Sequence, residues 1–206
     1  MQIVKLRTGL LSVNTYIVAG ESGEGFVIDP GGNEKRILQE AERAGITLKA
    51  QLLTHAHFDH FGASAALRRA GIPLYVHRLD AEKLHGEGNL AEMMGLAVEE
   101  PDADVLVEDG QTLEIAGLRV EVIRTPGHSS GSVCYLVERV IFSGDTLFCR
   151  SVGRTDFPDG NAAALSNSIR YKLFSLEGDY RVLPGHDEET TLDFERKYNP
   201  FVEYEV

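Results

Sequence analysis

Residues 54–60 read Thr54-His55-Ala56-His57-Phe58-Asp59-His60, directly after the short apolar run Ala50 to Leu53. His55 and His57 are two positions apart, so on extended backbone both imidazoles leave the chain on one side. Asp59 and His60 come next, just before FGASAALRRAGI takes up helical patterning. A chain turning from strand end into helix swings these two groups back toward the same point. Imidazole and carboxylate are the donors that a borderline divalent ion such as zinc prefers. The run sits between a buried strand and a helix, which separates it from a surface histidine tract at a terminus.

Further along the chain, three loops offer completing groups. Residues 125–130 read TPGHSS with His128, 143–147 read SGDTL with Asp145, and 183–187 read LPGHD with His186. Each follows a short apolar strand and places one ligand-type side chain among small turn residues. Loops at strand ends are where active sites are assembled on a rigid sheet. Alone each is an ordinary turn; together with the cassette they form a constellation.

In this order, HAHFDH, His128, Asp145 and His186 resemble the metallo-β-lactamase superfamily, and most closely its glyoxalase II-like branch, over nearly the whole chain. That resemblance implies an α+β fold, a four-layer αββα sandwich, with two divalent metal ions at the mouth between the sheets. Zinc is the first expectation, and His/Asp sites also accept iron or manganese. By analogy His55, His57 and His128 hold one ion, Asp59, His60 and His186 the other, and Asp145 bridges both. Asp59 is also the candidate catalytic group, orienting the nucleophile or accepting its proton. Class B β-lactamases usually carry a cysteine where this chain has Asp145, which disfavours antibiotic hydrolysis.

Length and charge bound the reading. The 206 residues suffice for one domain spanning the whole chain, without most of the C-terminal helical extension of full-length glyoxalase II. A net charge of −12 argues against a nucleic-acid partner, because phosphate binding needs a basic surface. No apolar stretch approaches the ~18 residues that span a membrane, and the N-terminus lacks a signal-peptide core. A small-molecule substrate and a cytoplasmic location are expected; oligomeric state is unreadable. Cys134 and Cys149 form no disulfide framework. The acidic run Glu99 to Asp109 reads as an exposed loop with an edge strand.

Strand patterning appears at IVKLRT, NTYIVA, GFVID, IPLYVH, VLV, QTLEI, LRVEVI, SVCYLV and RVIF, the last five in hairpin-like succession. Helices are expected over Asn33 to Ala44, where the apolar positions Ile37, Leu38, Ala41 and Ala44 follow helical spacing, then over the RLDAEKLHG segment, Ala162 to Phe174 and Leu192 to Tyr198. Residues 86–100, with Met93 and Met94, read as irregular. Asp29 reads foremost as capping its Pro-Gly-Gly turn, with support of a metal histidine as the alternative. His77 and His85 fall outside the constellation.

The resemblance implies hydrolysis of a thioester, S-D-lactoylglutathione or a related small acyl thioester or ester. Glyoxalase II enzymes usually place a lysine and a tyrosine for glutathione near GRTDF, residues 153–157, where this chain has Arg154 and Asp156. Arg154 is the candidate substrate-binding residue, clamping a carboxylate through its fork; a local Arg–Asp contact is the competing reading. Persulfide dioxygenases also resemble the chain. They hold one iron at positions matching His55, His128 and Asp145, the rival function.

Overall fold

In the computed structural model, which describes residues 1–202, two six-stranded sheets face each other. The first is built from β1 (Gln2–Thr8), β2 (Val13–Ala19), β3 (Glu24–Ile28), β4 (Thr47–Leu52), β5 (Leu74–His77) and β6 (Val105–Val107), in that spatial order. β1, β2 and β3 form an antiparallel meander, and β4, β5 and β6 add parallel strands. The second sheet contains β7 (Thr112–Ile115), β8 (Leu118–Arg124), β9 (Val133–Val137) and β10 (Val140–Gly144). A small ribbon, β11 (Leu147–Phe148) with β12 (Ser151–Val152), precedes β13 (Arg181–Pro184) and β14 (Thr190–Thr191), which complete the second sheet beside β10.

Alternation along the strands makes the layers. In β2 Tyr16 and Val18, in β3 Phe26 and Ile28, and in β9 Val133, Tyr135 and Val137 meet between the sheets. The intervening residues Ile17, Ala19 and Val27 turn to the opposite face, where α1 (Glu34–Arg43) covers them with Ile37 and Ala41. On the far side of the second sheet, Cys134, Leu136 and Ile141 pack under Leu165 and Leu192. Strands buried on both faces lose the polar half of the alternation, which is why these segments read as continuous apolar runs. The expected four layers of helix, sheet, sheet and helix are present.

Several elements differ from the sequence expectation. The cassette helix is two pieces, α2 (Phe58–Phe61) and α3 (Ser64–Arg69). The Pro30–Gly32 turn wedges between them: Ala63 N–H donates to Pro30 O at 2.8 Å. The next helix is a single turn, α4 (Arg78–Ala81), continued by a 3-10 turn. The segment expected to be helical over Ala162 to Phe174 is α5 (Ala162–Ser168) followed by a π-helical turn, Ile169–Leu173. That wider turn keeps Leu165, Ile169 and Leu173, four apart, on one buried face. The last helix, α6 (Leu192–Tyr198), has the expected bounds. The VLV strand does not start a hairpin with QTLEI; it joins the first sheet parallel to β5 as its edge. Of the apolar positions at helical spacing in α1, Ile37 and Ala41 are buried and Leu38 is 38% exposed.

Candidate metal centre

β4 delivers the cassette to the mouth between the sheets. Beyond Leu52 the chain is tied across to the second sheet, Val133 N–H donating to Thr54 O at 2.8 Å and the Tyr135 hydroxyl to Leu53 O at 2.8 Å. His128 arrives on the loop between β8 and β9, Asp145 follows β10, and His186 follows β13. The LPGHD loop is held from the first sheet: Asn14 Nδ2 donates to Pro184 O and Asp187 O, each at 3.0 Å. Gly185 is required by space, because a Cβ there would meet Asp145 Oδ1 at 2.4 Å and His60 Cε1 at 2.7 Å.

All seven expected ligands converge. Three groups have ligand atoms mutually within 4.8 Å: His55, His57 and His128; His55, His60 and Asp145; and Asp59, His60 and His186. His57 Nδ1 lies 2.9 Å from His128 Nε2, and His186 Nε2 lies 3.2 Å from Asp59 Oδ2. Asp145 stands between the histidines, with Oδ1 3.4 Å from His60 Nε2 and Oδ2 3.5 Å from His128 Nε2.

Outer contacts set the tautomers. Thr54 Oγ1 donates to Asp29 Oδ2 at 2.7 Å, so toward His55 Nδ1, 3.1 Å away, it accepts. That leaves His55 Nε2 without a hydrogen. His128 Nδ1 faces the Arg154 carbonyl at 2.7 Å and must donate to it, which turns its Nε2 toward the other ligands. Asp29, at φ 49°, does not fold its side chain over its own turn: the carboxylate accepts from Thr54 N–H at 2.8 Å and lies 3.0 Å from His60 Nδ1. Of the two readings of Asp29, support of a cassette histidine matches the geometry.

The residues fit a metal on their own terms. His55 Nε2, His57 Nε2, His60 Nε2 and Asp145 Oδ1 are buried without a hydrogen-bond partner. Such orphans each cost about 1–3 kcal/mol, and cations coordinated by imidazole and carboxylate would satisfy them. Charge agrees. Burial, reinforced by neighbouring histidines, pushes His55 and His57 well below the usual histidine range, so both are neutral donors at pH 7. At His60 burial works the same way but is outweighed by Asp59, Asp145 and Asp29, which raise it to about 10. Burial opposes ionisation of Asp59, yet His60 and His186 hold its carboxyl well below the usual range.

Arg154 lines the same cavity, but its fork is engaged by Asp156 at 2.9 and 2.8 Å and lies over the Phe157 ring, 4.7 Å away. Phe157 in turn packs edge-on against His57 and His128, centroids 5.2 and 5.6 Å apart. Sequence reasoning missed Asp80. Fully buried, it accepts from Ala56 N–H at 2.9 Å, Gly131 N–H at 2.8 Å and Lys83 Nζ at 2.8 Å. An acid in the helical turn after a strand, with lysine three residues on, was the available signal. His77 is used locally, accepting from Leu79 N–H, and His85 pairs with Glu100 and Asp102. The acidic run 99–109 is an exposed edge whose Glu99, Asp104 and Glu108 pair with Arg69, Arg68 and Arg78. No helix among the described residues is long and apolar enough to cross a membrane.

Similarities to known proteins agree with this centre. A curated relative, probable metallo-hydrolase YqgX of Bacillus subtilis (strain 168), is 38% identical over 96% of each chain. Hydroxyacylglutathione hydrolase GloC of Haemophilus influenzae is 33% identical over 92% of each. Among solved structures, BLEG-1 B3 metallo-beta-lactamase matches with TM-score 0.93 and 35% identity, covering 98% of this chain and 100% of that one. TTHA1623 in a di-iron-bound form matches with TM-score 0.85 and 40% identity, over 98% and 100%. ETHE1 from Myxococcus xanthus matches with TM-score 0.83 and 32% identity, over 97% and 84%. The model of the metallo-beta-lactamase superfamily matches residues 8–186, from the end of β1 through the last of the seven convergent residues. The chain belongs to the metallo-β-lactamase superfamily.

Proposed function

We propose that the protein is a dinuclear metallo-hydrolase that cleaves small acyl thioesters or esters. The observation that carries this reading is Asp145, whose Oδ1 lies near His60 and whose Oδ2 lies between His128 and His186, so that one carboxylate reaches histidines of both groups. A carboxylate so placed suits two cations rather than one. His55, His57 and His128 are assigned to the first, Asp59, His60 and His186 to the second, and Asp145 to both.

A divalent pair supplies Lewis acidity and brings the pKa of water from 15.7 toward about 7. The chain's own residues do the rest. Asp59 remains ionised, is steadied by His186, and is placed to orient a water or take its proton at Oδ2. Phe58 and Phe157 wall the cavity beside the histidines and limit water around the reacting carbonyl. A departing thiolate, with a pKa near ~8.5 as for a free cysteine thiol, needs no strong protein acid. Arg154 meets a substrate carboxylate only if its Asp156 pair opens.

Similarity to YqgX and GloC supports hydrolysis. The likeness to ETHE1 favours the second reading, a mononuclear-iron persulfide dioxygenase built on His55, His128 and Asp145. The di-iron form of TTHA1623 keeps iron beside zinc as the metal. Metal analysis of protein purified without added metal, paired with two assays, decides between them. Two ions per chain with thioester cleavage supports the hydrolase; one iron with oxygen uptake on glutathione persulfide overturns it. Including a chromogenic β-lactam tests the activity that the BLEG-1 likeness suggests and that Asp145 disfavours.

A further inference from the structure

The cavity beside the histidines holds about 360 Å³, and its outer wall is Leu11, Leu90, Met93, Met94, Phe148 and Phe157. Met93 and Met94 sit together on one 3-10 turn, 63% and 57% exposed, and Leu11 on the β1–β2 turn is 47% exposed. Large apolar side chains grouped in water at the rim of a cavity mark a surface meant to be covered. Methionine, unbranched and polarizable, adapts to varied apolar shapes.

The wall outside the proposed ligands offers little to a carboxylate. Beyond the proposed ligands the lining carries Asp187, and Arg154 is the one Lys or Arg among its described residues. Its Nε and one terminal nitrogen already donate to Asp156, which balances its charge. A glutathione thioester brings two carboxylates, and the one guanidinium in the wall is already paired with Asp156.

We propose that the site selects thioesters with an uncharged, apolar arm of several carbons, and that Leu11, Leu90, Met93 and Met94 are the specificity-determining contacts. This rests on the hydrolase reading above. Each methylene buried against the rim tightens binding about fourfold.

Titration calorimetry on the metal-loaded protein with two non-hydrolysable thioethers, S-hexyl-N-acetylcysteamine and S-hexylglutathione, separates the neutral from the anionic arm. The matching hexanoyl thioesters give kcat and KM. The expected result is at least tenfold tighter binding of the neutral thioether, affinity growing from ethyl through butyl to hexyl. The Met93→Glu, Met94→Glu double variant then raises KM at least tenfold with bound metal unchanged. Tighter binding of S-hexylglutathione, or a tenfold loss of its binding in Arg154→Ala, overturns the proposal. Cleavage that prefers the glutathione thioester sinks this inference alone. Neutral-arm binding without cleavage of any thioester sinks the hydrolase reading and leaves the apolar site standing.

Discussion

Asp80 and Ser129 meet at 2.7 Å in the interior, the serine hydroxyl donating to Asp80 Oδ2, the oxygen that also accepts from Ala56 N–H. One carboxylate thus ties the backbone between His55 and His57 to the loop that carries His128. Two parts of the metal centre 71 positions apart are aligned by a residue that touches no ligand atom. Lys83 lies against the same carboxylate and reaches Ser130 and Asp159, extending the tie toward the surface.

Replacing Asp80 therefore harms the metal centre as well as the fold. Asp80→Ala strands buried donors at Ala56 and Gly131 and leaves Lys83 short of a partner, a loss of about 3–5 kcal/mol. Asp80→Asn keeps the shape and loses about 1.5–3 kcal/mol. Thermal unfolding reads the first effect, and metal retained after gel filtration reads the second. An Asp80→Asn protein of unchanged stability and full metal content would contradict this role.

Ligand substitutions sort into two classes. His57→Ala and His186→Ala each lose about one metal ion per chain, because each stands on one side of the centre, whereas Asp145→Ala, whose carboxylate faces His60 and His128, loses both. Elemental analysis of the purified variants gives the stoichiometry directly. Equal loss in all three refutes the two-group assignment. Activity falls with metal in every case, by about 10²-fold or more.

Metal uptake depends on pH at one group more than the other. His55 and His57 are pushed down, mainly by burial, and take a cation without giving up a proton above pH 6.5. His60, raised to about 10 by three carboxylates, binds only after deprotonation. His186 in the same group is also raised, by Asp59 and Asp145 against its burial, so filling this group releases at least one proton, and apparent affinity there climbs at least tenfold per pH unit as pH rises. Calorimetry in buffers of differing ionisation enthalpy counts that proton, and a count of zero for both ions rules the scheme out. In metal-free protein the sign reverses. His60 is raised above its unfolded value of about 6.5, so its contribution to stability is complete below that pH and lost as pH rises through about 10.

Gly185→Ala tests the packing of the centre without removing a donor. The added methyl meets Asp145 Oδ1 at 2.4 Å and His60 Cε1 at 2.7 Å, so both side chains must shift. The expected variant folds, with near-native circular dichroism, and binds metal at least tenfold more weakly. Native affinity would show that the loop yields without disturbing Asp145.

Much of the centre is legible in the chain because its signals are local. His55, His57, Asp59 and His60 lie within six consecutive positions, and His128, Asp145 and His186 each follow a strand on a small-residue turn. Strand and helix patterning also survives, since burial on alternating or stacked positions leaves its period in the residues. Legibility fails where partners are distant. The VLV strand pairs with β5 across 27 or more residues, and nothing in three apolar residues says which sheet takes them. Asp29 reads as a turn residue because its turn is next to it, while its true partner, Thr54, is 25 positions away.

Residue types and their order establish the donor chemistry, the family resemblance and the strands that deliver each ligand, because these follow from side chains acting on their near neighbours. Which Asp145 oxygen faces which histidine, the engagement of Arg154 by Asp156, the Asp80 tie and the apolar rim at Met93 and Met94 arise when the two sheets close on each other. Those are directed contacts between loops from different sheets, and their direction exists only once the core between the sheets has packed.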